Sequence, residues 1–417
     1  MSTPDASHRS LWPLRFISIE AASGVVLLAA AAIALACANS PLSSAYEALW
    51  HQPLAFGAPL LPARDLRFWV NDGLMTIFFL LVGLEVRREI RDGTLSDRRV
   101  ATLPIIAALG GVVVPALLYI LVGSGSEVWR GWAIPTATDI AFALGVLSLI
   151  GRVAPALRVL LLTLAIADDI AAILVIACFY SAGLLPAQFL LVAAGIALVL
   201  LLQAAGVRST LAYVLPAAVL WLGMLRAGMH PTLAGVVLGL LTPVTADFGL
   251  AARRRAPRSC GAQPLPGAGP PRVPLSPVVR VETMLHPYVA FGIMPLFAFA
   301  NAGVSLGGIH LTAAAPRAVS GGIVLGLVLG KPLGIILAAL AAVRSKICVL
   351  PQGVGWRELL LLGVLGGIGF TMSMFIANLA FEDPQLLSAA KLGVLAGSAA
   401  AAALGFTLGR SMSGPSS

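Results

Sequence analysis

The chain has 417 residues, 59% of them hydrophobic and 11% charged, with a formal charge of +9 and a mean hydropathy of +0.96. That balance excludes a soluble globular protein, and no aromatic-basic cluster or folded basic domain accompanies the charge to suggest nucleic acid. Repeated apolar runs of about 17 to 25 residues, each long enough for a hydrocarbon core of roughly 30 Å, predict an all-α integral membrane protein.

About twelve transmembrane helices are expected, starting near residues 17, 66, 101, 132, 157, 187, 209, 229, 284, 319, 358 and 387. Residues 1–16 read as a cytoplasmic N-terminal tail, 17–245 as helices one to eight, 246–280 as an Arg/Pro/Gly-rich cytoplasmic linker, 281–410 as helices nine to twelve, and 411–417 as a cytoplasmic C-terminal tail. On this topology 20 Lys and Arg lie inside and five outside, while Lys331 and Lys391 fall in or at the edge of spans. The bias follows the positive-inside rule with both termini cytoplasmic. The first run is long and lacks a small-residue cleavage site, so it is expected to remain as a helix rather than act as a removed signal peptide. Cys37, Cys178, Cys260 and Cys348 have no metal-ligand spacing and read as packing residues.

In chain order, residues 40–65 alternate apolar residues with Pro and Gly, which fits either a short hairpin or a plain outside loop. The second run, NDGLMTIFFLLVGLEVRREIRDG, puts Glu85, Arg88 and Glu89 on one helix face near the inner end. The fourth, WAIPTATDIAFALGVL, is interrupted by Pro135, Thr136, Thr138 and Asp139. In the fifth, Asp168 and Asp169 are the only charges between Arg158 and Arg208, near the middle of the slab. Carboxylates there cost several kcal/mol, so intramembrane acids face aqueous cavities and handle ions or protons. Glu282 and His286 repeat the inner-face spacing at the start of the ninth run, and Lys331 stands alone in LGLVLGKPLGIILAAL of the tenth. The eleventh, LLGVLGGIGFTMSMFIANLA, places Gly363, Gly366, Gly367 and Gly369 ahead of Thr371 and Ser373. Taken alone, such glycines also fit close helix packing. Paired with the broken fourth run, they point to inverted-topology repeats whose site lies where half-helices meet. Asp72, His230 and His310 read as mainly structural.

The chemistry follows from these positions. Adjacent buried carboxylates repel, so the Asp168/Asp169 pair resists ionising both members and can exchange a proton for a cation. Oxygen ligands suit a small hard cation; Thr138 and freed backbone carbonyls can complete the shell of a sodium or lithium ion. Helical neighbours point about 100° apart, so one Asp can face the ion while the other meets Lys331. Lys331 reads as a counter-ion, as a titrating group, or as both. Asp139 and Lys331 are placed to offset the opposed dipole ends of broken helices. Glu85, Arg88, Glu89, Glu282 and His286 read either as ordinary interfacial ion pairs or as a pH-sensing funnel mouth. An intramembrane aspartyl protease is disfavoured because neither Asp139 nor Asp168 lies in a G-x-G-D element, and a passive cation channel would show no coupling of sodium to proton flux.

Together NDGLMTIFFLLVGLEVRREI, PTATDIAFALG, LAIADDIAAI, GMHPTLAG, LHPYVAFGIMPLFAFANAGVSL, GKPLG and GGIGFTMS resemble the NhaA-type bacterial sodium/proton antiporter family over nearly the whole chain. The resemblance implies a multi-pass inner-membrane antiporter with twelve helices, inverted repeats, and crossed, broken fourth and eleventh helices. By position, it implies that Asp169 is the principal ion-binding carboxylate, that Asp168 pairs with Lys331 when the site is empty, and that Thr138 and Asp139 lie at the crossing. Glu85, Arg88, Glu89, Glu282 and His286 match the family's pH-response region and His230 its histidine near the outer end of the eighth span. Also implied are electrogenic, pH-regulated exchange of Na+ or Li+ for H+, roles in sodium and pH homeostasis, a homodimer in membrane lipid, and no cofactor. Thr283 in place of a histidine and the long loop before Val281 depart from the family pattern in the pH-response region.

Overall fold

In hydrocarbon a spanning chain satisfies its backbone only as helix or closed barrel, and each apolar run here is helical. The computed structural model describes residues 11–54, 63–123, 125–151, 154–181, 183, 185–207, 209–244, 276–308 and 313–412. Most of the 246–280 linker, with Cys260, and also His310 lie outside the described residues. A helix begins at Pro277, inside the stretch read as linker, and another at Leu11, inside the N-terminal tail.

Among the described residues, eight helices are long and apolar enough to cross a membrane, or up to 11 if each of three bent pairs is one span. The segment expected as an eighth span contains only the nine-residue helix Leu233–Leu241. Between the first two runs lie a helix, Ser43–Trp50, and a two-residue antiparallel strand pair in which Pro53 faces Asp65 and Leu54 faces Arg64.

The chain divides into two units, one of Met1–Met75, Thr94–Tyr180 and Pro287–Ser417, the other of Thr76–Gly93 and Ser181–His286. In the first, Arg98–Val122 packs along Lys331–Arg344. A side chain at Gly110 or Gly334 would collide with the other's carbonyl oxygen, so small residues let these backbones touch. Pro155–Phe179 lies on the same Arg98–Val122 helix, and Leu11–Ala38 packs on Ile140–Ile150 and Met294–Asn301. In the second unit, Phe189–Ala204 pairs with Val214–Ala227, and Leu84, Val244 and Val278 form a small buried cluster.

Among the described residues, three helices contain a π-helical turn: Trp69–Leu74, Val289–Ile293 and Gly326–Gly330. Two of these lie just before prolines, Pro295 and Pro332, which lack an N–H and crowd the preceding turn. Widening the helix there relieves the clash, and such turns recur at functional sites.

Candidate functional site

Two helices that stop in mid-course frame the site. Glu127–Thr136 meets Ile140–Ile150 at a 44° bend, and Trp356–Gly366 meets Phe370–Ala380 at 45°. In the first, Pro135 sits in a tight turn, Ile134–Thr136, after which Ala137 and Asp139 adopt extended backbone. In the second, side chains at Gly367 and Gly369 would strike the Leu327 carbonyl and the Ser373 hydroxyl. Glycine is what allows the strands of backbone to pass so closely.

Each break exposes the unsatisfied N–H and C=O groups of helix ends, and polar side chains answer them. Asp139 caps Ile140–Ile150, its Oδ1 accepting from Phe142 N at 3.0 Å. Its Oδ2 accepts from the Thr371 backbone at 3.2 Å and from the Thr371 hydroxyl at 2.5 Å, so one carboxylate serves the N-termini of two half-helices. Asp139 N donates to Ile368 O at 2.7 Å. Thr138 Oγ1 donates to Gly366 O at 2.8 Å and Ser373 Oγ to Ile134 O at 2.7 Å, which covers carbonyls at the two C-terminal ends. Ser398 Oγ receives the Phe370 N–H at 3.0 Å.

Beside this crossing, Lys331 and the two adjacent aspartates are all buried, with Lys331 at 0%, Asp168 at 1% and Asp169 at 2% exposure. Lys331 Nζ meets Asp168 Oδ2 at 2.5 Å and also donates to the Thr136 carbonyl. Thr138 stands beside Asp168, and Lys331 lies in the field of both carboxylates. Asp168 thus gives Oδ2 to Lys331, with Thr138 against the rest of its carboxylate. No group of three or more His, Cys, Asp or Glu among the described residues is placed to hold a metal ion.

The expected inner-face residues belong to the other unit. Arg88 Nη1 meets Glu282 Oε1 at 2.5 Å, with the Arg88 side chain 25% exposed and Glu282 5%. Glu89 is buried, its carboxylate against Gly93. Glu85 and His286 are half-buried, and so is His230, in the turn before Leu233–Leu241.

Sequence reasoning passed over three asparagines in the first unit. Asn301 Nδ2 donates to Asn71 Oδ1 at 2.7 Å, and Asn301 Oδ1 accepts from Asn71 Nδ2 at 3.3 Å and Asn378 Nδ2 at 2.9 Å. Asn301 and Asn378 are marked in the sequence by a carboxamide inside an otherwise apolar run, the same rarity that singles out the acids, whereas Asn71 stands beside Asp72.

Comparison with known proteins bears on this geometry. The family model described as Na+/H+ antiporter 1 matches residues 14–408. A Na(+)/H(+) antiporter NhaA 2 of Pseudomonas putida is 54% identical over 415 residues, covering 95% of this chain and 92% of that protein. The Na(+)/H(+) antiporter NhaA of Cupriavidus necator is 54% identical over 414 residues, 94% of this chain and 88% of its own. That of Bartonella tribocorum is 48% identical over 414 residues, 95% and 91% respectively.

Proposed function

The chain belongs to the Na+/H+ antiporter 1 family, a multi-pass transporter family and not an enzyme family, and we propose that it exchanges cytoplasmic Na+ or Li+ for external H+ by alternating access at one aspartate site. Asp169 and Asp168 bind the cation, Thr138 contributes an oxygen, and Lys331 is the counter-ion that occupies Asp168 when the site is empty. Asp139 bridges the two breaks. Two protons entering on Asp168 with Asp169, or on Asp169 with Lys331, for each sodium leaving would make exchange electrogenic. No cofactor takes part; the ions are substrates.

The observation that carries this reading is the ion pair of Lys331 with Asp168 beside Asp169, dry and at the end of a broken helix. A buried pair that serves only stability is commonly replaceable by apolar residues without loss. One set against a second carboxylate provides a place where an ammonium, a proton and a sodium ion compete.

In this reading the chain crosses the bacterial inner membrane twelve times. The eleven spans counted with bent pairs, together with the short helix Leu233–Leu241, support that number. The bent segments are the fourth and eleventh members of inverted repeats, both termini are cytoplasmic, and the protein works as a homodimer in lipid. Glu85, Arg88, Glu89, Glu282 and His286 set the pH response, and His230 takes part in gating.

Sodium-driven collapse of a preset pH gradient in inside-out vesicles, across pH 6 to 9, tests the core of the proposal. Sodium-dependent proton movement is expected from the native protein and a loss of at least about 100-fold from Asp169→Asn. Movement that survives in the variant would relocate the site, and sodium flux without proton flux would indicate a channel.

A further inference from the structure

Phe370–Ala380 is held at both ends of one face. Thr371, at its start, binds Asp139, and Asn378, seven residues and about two turns later, binds Asn301. Asn301 is fully buried at the end of Met294–Asn301 and uses its whole carboxamide, with a further bond from Nδ2 to Phe297 O at 3.0 Å. Asn71, its reciprocal partner, lies in the π-helical turn Trp69–Leu74. Asn378 also donates to Met374 O at 2.9 Å, which orients its amide along its own helix. Three elements far apart in sequence are thus tied through one amide.

All three groups are neutral, so the tie needs no counter-ion. Asn71 and Asn378 are half-buried while Asn301 between them is sealed, so parting them requires water to replace the lost bonds. In the orientation proposed above, the C-terminal end of Phe370–Ala380 and the Asn301 end of its helix both face outward.

We propose that the Asn71–Asn301–Asn378 clasp is the outer closure of the cation site, with Asn301 a positioning residue that keeps the half-helix carrying Thr371 shut toward the outside. This rests on the alternating-access reading. The clasp stabilises the inward-facing state, and loading from the outside requires it to open.

The test compares sodium KM on the two faces of the membrane, using inside-out and right-side-out vesicles of native protein, Asn301→Ala and Asn378→Ala. Interhelical polar bonds in membranes each shift an equilibrium by about threefold, so losing those of Asn301 shifts the balance roughly tenfold or more. The KM for sodium at the outer face is expected to fall about fivefold while that at the inner face rises about twofold. Asn378→Ala, which keeps the Asn71–Asn301 pair, is expected to show the same opposed shifts at smaller size and guards against a misfolded Asn301 variant. Amide hydrogen exchange of residues 370–380 in detergent, which does not depend on transport, is expected to quicken in both variants.

A purely structural role would lower the maximal rate with both KM values unchanged, and a damaged ion site would raise both; either result, or unaltered exchange at 370–380, overturns the clasp. Absence of coupled exchange in the native vesicles would instead overturn the transport reading, and the hydrogen-exchange result would still decide the clasp.

Discussion

Two ion pairs of equal length sit in different surroundings. Lys331–Asp168 and Arg88–Glu282 both close at 2.5 Å, but the first is sealed on both sides whereas Arg88 keeps 25% of its side chain exposed. The sealed pair stands beside a second carboxylate and the loose ends of broken helices; the other joins two continuous helices. A charge held without water has few partners to choose from and its pairing becomes a switch. A charge with water at hand can be tuned without being lost.

That contrast is most easily broken at Lys331. Lys331→Met strands Asp168 in a dry site and is expected to cost about 3–5 kcal/mol, read as a lowered melting temperature in detergent. The double variant Asp168→Asn with Lys331→Met is expected to recover most of that stability while remaining unable to exchange ions. A single variant as stable as native protein would mean that water reaches the pair. Asp139 comes next. Asp139→Ala removes the cap of Ile140–Ile150 and the bonds from Thr371, with an expected loss of about 1–3 kcal/mol, whereas Asp139→Asn, which still caps, should lose less. Thermal unfolding of the two side by side separates the bridging role from the charge. The smallest effect is expected at Arg88. Water can take its place, so Arg88→Ala should cost about 1–2 kcal/mol and alter the pH dependence of exchange while the maximal rate stays within about fivefold. If Arg88→Ala abolished exchange at every pH between 6 and 9, the two pairs would not differ in kind.

Much of this site is legible in the chain. Intramembrane Asp139, Asp168, Asp169 and Lys331 stand out because hydrocarbon makes a charge conspicuous, and Pro135 and Gly366–Gly369 mark where helices stop. What pattern alone leaves open is which partner each group takes. Adjacent aspartates point in different directions, but only the packing of Lys331–Arg344 along Arg98–Val122 and the course of the break select Asp168 for the lysine. The asparagine clasp escapes a reading aimed at charge, since a neutral amide in an apolar run looks like tolerated polarity until its partners from remote segments are seen. The run that starts near residue 229 reads as a span by composition; its helix, Leu233–Leu241, is nine residues long because the turn through His230, Pro231 and Thr232 takes up the start of the run.

The wide turn Gly326–Gly330 can be restated as a matter of phase. An α-helix advances about 100° per residue, so a turn that accommodates one additional residue rotates everything beyond it by about that angle relative to everything before. Lys331 is the first residue past the turn. Its aim toward Asp168 is therefore set by how many residues precede it in that helix as well as by what they are. Removing a single residue from 326–330 would swing the ammonium roughly a quarter of the way around the helix with every side chain chemically intact. Here the chain is sensitive to count, and a one-residue deletion should silence it where most apolar substitutions would not.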